Sequence, residues 1–143
     1  MQARARILGI PLHQILIVFP LGLLATSFFF DLAYLLSARA ELGIVASWLI
    51  FAGVLGGAAA ALFGIIDYAA IPRNTRARRI GAIHGGGNLV VALLFAASWL
   101  LRRDAPGHPG ALEIVLSACG VLLTVITGWL GGELADRMDE LEG

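Results

Sequence analysis

The chain has 143 residues, with ten arginines, no lysine and ten acidic residues, so its formal net charge is zero. Hydrophobic residues make up 59% and charged residues 14%, against about half and about a quarter in a soluble domain. The first balance excludes an electrostatic case for nucleic acid or for an acidic partner, and the second points away from a soluble fold toward the membrane.

Four apolar runs follow in chain order, each long enough to cross a bilayer, which takes about 20 mostly apolar residues. The first covers about residues 10–36 and carries no charge until Asp31. It is too long for a cleavable signal, whose apolar core is about 7–15 residues. The second, about 42–66, is uncharged and is followed by Asp67. The third, about 80–101, holds His84 as its one ionisable group, and the fourth, about 112–132, is uncharged and is followed by Glu133. The stretches "SARAEL", "DYAAIPRNTRARR" and "RRDAPGHPGALE" join them. Connections this short favour an antiparallel up-down bundle, so the fold expected is all-α: one transmembrane domain of four helices over residues 1–143. The acidic "GGELADRMDELEG" reads as a helical tail.

Arginines set the expected orientation. Arg4, Arg6, Arg73, Arg76, Arg78, Arg79 and Arg137 fall on one side, and Arg39, Arg102 and Arg103 on the other. The positive-inside rule then places both termini in the cytoplasm.

Few polar groups enter the spans, and an ionisable residue there is a functional hypothesis by default. His13, Asp67, His84 and Glu133 come one from each helix and lie toward the same surface, with Asn88 one turn beyond His84. Asp31 lies at the opposite end of its helix. His13 and His84 would be the axial ligands of a b-type haem between the diagonal first and third helices. Gly85 within "HGGG", together with Gly64, Gly128 and Gly131, would clear room for the macrocycle. Arg73, Arg76 and Arg79 would neutralise its propionates, and Asp67 would hydrogen-bond a ligand ring N–H. A second reading makes His13, Asp67, His84 and Glu133 a metal or proton site, although the E-x-x-H spacing of di-iron bundles is absent. A third makes them a structural polar cluster in a cofactor-free, partner-binding membrane subunit.

Small residues recur at Gly53, Gly57, Ala61 and Gly64, and at Gly120, Thr124, Gly128 and Gly132. Such spacing lets helices approach closely in lipid. Cys119 reads as a small buried residue and His108, in "APGHPG", as a solvated one. No soluble catalytic motif, no phosphate-binding glycine loop and no inverted repeat of the transporter type is evident. An enzymatic role is therefore not indicated, and the partners expected are the bilayer, a membrane redox partner and a second copy of the chain.

The order and spacing of "GIPLHQILIVFPLGLL", "GIIDYAAIPRNTRARR", "IHGGGNLVVALLF" and "GWLGGEL" resemble the DUF2231 family of small bacterial four-helix membrane proteins across nearly the whole chain. The resemblance implies the four-helix fold and a match of His13, Asp67 and His84 to family positions. Some members are joined to Rieske-type iron–sulfur domains, which implies a redox setting.

Overall fold

The computed structural model describes the backbone of residues 6–7 and 10–140 and the side chains of residues 13–134. Arg4 and the side chains of Arg6 and Arg137, which entered the orientation count, lie outside the described residues. A two-residue antiparallel pair opens the chain, β1 (Arg6–Ile7) against β2 (Ile10–Pro11). It was not foreseen, and it delays the first helix by two residues. Four helices follow: α1 (Leu12–Ser37), α2 (Ala40–Ala70), α3 (Arg76–Arg102) and α4 (Ala111–Glu140). All four are long and apolar enough to cross a membrane.

Helices exceed the expected spans chiefly at the end that carries the α2–α3 connection. Asp67 lies inside α2, and Arg76, Arg78 and Arg79 already lie inside α3. The connection is thus only Ile71 to Thr75. Three local devices make it tight. Asn74 takes a left-handed backbone, φ 65°, which asparagine tolerates better than most residues. Thr75 caps α3, its Oγ1 accepting from the Arg78 amide at 3.1 Å and donating to the Pro72 carbonyl at 2.9 Å. Arg78 turns back over the Tyr68 ring, 4.3 Å from its centroid, and donates to the Tyr68 and Ile71 carbonyls at the end of α2.

α1 packs closely along α2 and α3 along α4, with thinner contact between the two hairpins. Pro20 interrupts the hydrogen-bond ladder of α1 and is buried opposite Gly56, where an added Cβ would stand 3.5 Å from the proline. Leu24, Ile50, Val91 and Phe95 form the apolar centre. Outward faces are apolar: Val18, Trp48, Leu62, Ile83, Leu122 and Trp129 are all exposed, as lipid contact requires. Cys119 is on this outer face and not buried as expected. A short apolar side chain is as acceptable toward lipid as toward a core. His108 is exposed in the α3–α4 loop, whose Pro106 and Gly107 pack on Gly43 and Ala40 at the start of α2.

Candidate polar sites at the two ends of the bundle

At the end carrying the α2–α3 connection, each histidine is held the same way. The His13 Nδ1 lies 2.9 Å from the Ala60 carbonyl of α2, and the His84 Nδ1 lies 2.8 Å from the Thr127 carbonyl of α4. A carbonyl only accepts, so Nδ1 carries the proton in both rings and Nε2 carries the lone pair. Each ring also lies against a glycine one turn beyond its carbonyl partner. A Cβ added to Gly64 would meet the His13 Cε1 at 3.0 Å, and one added to Gly131 would meet the His84 Cε1 at 2.8 Å.

Several expectations about this end change. The ring N–H groups go to backbone carbonyls, so the hydrogen bond foreseen from Asp67 to a ligand N–H is replaced by helix-to-helix bonds. Asn88 donates to the His84 Nε2 at 3.0 Å, because one helical turn puts its amide directly over the ring. Gly85 and Gly128 are exposed with nothing within 4 Å of an added Cβ, and the same holds for Gly86 and Gly132. They face outward and not into the space between the helices. The close approaches are made by Gly64, Gly87 and Gly131 instead, Gly87 against Thr127. Glu133 pairs with Arg76 at 3.6 Å across a half-exposed surface. Among the described residues no three of histidine, cysteine, aspartate and glutamate converge as metal ligands would. The four residues His13, Asp67, His84 and Glu133 thus do not form a metal-ligand group.

The other end holds what sequence reasoning missed. Arg102 is not a loop arginine: it closes α3, and its side chain and that of Asp31 are both 0% exposed. They meet fork to fork, Nη1 to Oδ1 at 2.7 Å and Nη2 to Oδ2 at 3.1 Å, the bidentate geometry that guanidinium favours. Nη2 also donates to the Ser98 Oγ at 2.9 Å, and Ser98 lies 2.9 Å from the Ser117 Oγ. Ser98 in turn donates to the Glu113 carbonyl at 2.7 Å. The cluster thus joins α1, α3 and α4. A charge in a nonpolar bundle is tolerated when it is paired and hydrogen-bonded.

The spacing along the helices relates the two ends. Asp31 follows His13 by 18 residues on α1, and Arg102 follows His84 by 18 on α3. That is five helical turns, so each pair shares one helix face, about 27 Å apart along the axis. The distance is close to the hydrocarbon thickness of a bilayer, about 30 Å. The histidines and the ion pair therefore lie near opposite borders of the apolar layer.

Together these features define a class: a four-helix membrane bundle, apolar outside, with a part-buried histidine cluster at one end and a buried ion pair at the other. The predicted-membrane-protein family DUF2231 matches residues 9–139, and the chain belongs to it. No curated protein and no solved structure matches the chain.

Proposed function

We propose that this protein is a bacterial inner-membrane electron carrier in which His13 and His84 hold one b-type haem through Nε2. The observation that carries the reading is the matched pair of Nδ1–H bonds to the Ala60 and Thr127 carbonyls. Such a bond fixes the tautomer, aims the ring and makes the opposite nitrogen a better ligand. When bound, haem supplies one-electron transfer. The chain's own part is to orient two imidazoles, one from each hairpin. Asn88 releases the His84 Nε2 by turning its amide aside. Arg73, Arg76 and Arg79, all exposed at this end, offer positive charge for propionates.

With Arg102 withdrawn into its ion pair, the exposed arginines of the far side reduce to Arg39 and Arg103. The bias that would place the histidine end at the cytoplasmic face becomes stronger. Reporter fusions at the two loops facing the far side test this: activity of an export-dependent reporter there supports it, and activity of a cytoplasmic reporter there refutes it.

The Asn88 bond to Nε2 favours a second reading, a cofactor-free membrane subunit in which both histidines cross-link helices. One experiment separates the two. The protein is expressed with haem precursor, purified in detergent, and its absorption recorded oxidised and dithionite-reduced. The haem reading expects a sharp reduced α-band of the low-spin b type, lost in His13→Ala and in His84→Ala and kept in Asp67→Asn and Glu133→Gln. A colourless, well-folded protein leaves the subunit reading.

A further inference from the structure

The buried residues of the two hairpins follow one pattern. In α1 the buried positions beyond His13 are Pro20, Leu24, Ser27 and Asp31; in α3 those beyond His84 are Val91, Phe95, Ser98 and Arg102, while Ala77, Ile80 and Gly81 precede His84 and have no counterpart in α1. Each member of the second set lies 71 residues after its counterpart, and His84 follows His13 by the same interval. In α2 the buried residues include Ser47, Ile50, Gly53 and Ala60; among the described residues of α4 they are Ile114, Ser117, Gly120 and Thr127. Each of these pairs is 67 residues apart, as are Gly64 and Gly131.

Contacts repeat with the positions. Gly53 faces Leu24 and Gly120 faces Phe95, an added Cβ meeting the side chain at 2.6 Å in both cases. Ala60 accepts from His13 as Thr127 accepts from His84. Gly64 lies under one ring and Gly131 under the other. An unrelated pair of helical hairpins has no reason to share a closest approach, a histidine-to-carbonyl bond and a glycine under the ring at one common register.

We infer that the chain is a tandem duplication of one helical hairpin, and that each half is the docking partner of the other across a pseudo-two-fold axis along the bundle. Both halves run the same way, so the repeat is parallel and not inverted. At one end residues from equivalent positions meet, Asp31 with Arg102; at the other, equivalent histidines make equivalent bonds within their own hairpins. His13 and His84 have stayed alike, whereas Asp31 and Arg102 have diverged into opposite charges. Two unchanged halves would set two aspartates, or two arginines, face to face; the pair as it stands makes unlike halves complementary. The second half differs by four residues fewer at its turn, between Arg102 and Gly110, than the first between Asp31 and Gly43. It also has Asn88 where the first has Ile17, so only one histidine has an amide over it.

The inference concerns the fold of the full chain and is independent of haem. It is tested by distance measurement between paired spin labels in a Cys119→Ser background, in nanodiscs. Cysteines are placed at Val18, Leu55, Leu89 and Leu122, four outward positions exposed by 67%, 56%, 61% and 67%, where labels do not disturb packing. Residues 18 and 89 are equivalent under the repeat, and so are 55 and 122. The duplication expects the α1–α4 distance, 18 to 122, to equal the α3–α2 distance, 89 to 55, within the widths of the two distributions. The distance within the first hairpin, 18 to 55, should equal that within the second, 89 to 122. Equal hairpins with unequal cross distances would overturn the symmetric docking. Unequal hairpins would overturn the duplication itself.

Discussion

Asp31 and Arg102, 71 residues apart in the chain, form a bidentate ion pair from which solvent is fully excluded. They bridge the two hairpins, between which contact is thinner than within each. Removing one partner leaves a buried charge without compensation, an effect of about 3–5 kcal/mol. Arg102→Met and Asp31→Leu should each lower the melting temperature in detergent sharply, and the two together should recover most of the loss. Reversal, Asp31→Arg with Arg102→Asp, should recover part. The reversed arginine would find Ser27 in place of Ser98, but Ile50 where Ser117 stood, so adding Ile50→Ser and Ser117→Ile should improve it further. Single variants that melt like the parent would refute this account.

Histidine orientation depends on the glycines beneath the rings. Gly64→Ala and Gly131→Ala should each push a ring off its carbonyl and destabilise by about 1–3 kcal/mol, the usual range for overpacking. Gly85→Ala and Gly128→Ala, at open outward positions, should be neutral or slightly stabilising, since alanine favours helix over glycine by about 1 kcal/mol. Thermal melts of the four variants check the contrast. Equal losses in all four would show that the rings do not depend on these contacts.

Within each hairpin a glycine meets one large side chain. Gly53→Ala collides with Leu24, and Gly120→Ala with Phe95. Shortening the opposing residue should relieve the collision. Gly53→Ala with Leu24→Ala, and Gly120→Ala with Phe95→Leu, should therefore lose less than the sum of their single changes, by about 1 kcal/mol. Additive losses in both cycles would mean that helix spacing is set elsewhere.

Arg78 closes the α2–α3 turn by hydrogen bonds to the Tyr68 carbonyl of α2 and the Ile71 carbonyl of the connection, and by stacking on Tyr68. Arg78→Ala should cost about 2 kcal/mol, in the range for hydrogen bonds from charged groups. Arg78→Lys should recover only part, because a single ammonium can donate to both carbonyls but lacks the planar guanidinium that stacks on Tyr68. Arg79→Ala, at an exposed neighbouring position, is the control and should leave the melt unchanged. Protease sensitivity of the turn, measured beside the melt, should rise in both Arg78 variants and stay at the parent level in the control.

Much of the architecture was legible before any contact was known. A bilayer demands about 20 apolar residues per helix, so uncharged runs ending at Asp67 and Glu133 declare four helices and their approximate ends. The same demand makes His13 and His84 conspicuous, and their placement at one end follows from counting passes.

Partnership within the bundle was decided by tertiary structure. Arg102 adjoins Arg103 and the loop, and as a sequence it reads as an interfacial charge; only packing draws it into Asp31. Nothing local says that the Ala60 and Thr127 carbonyls accept from the histidines, because every helical residue presents the same carbonyl and its availability depends on which helix lies opposite. Gly131 matters where Gly128 does not, because the rotation of α4 turns one toward His84 and the other outward. The repeat was present in the spacings throughout. It was hidden because lipid and core accept any apolar side chain, so the halves could exchange most identities and keep only the positions where polar groups or close helix contacts fix the geometry.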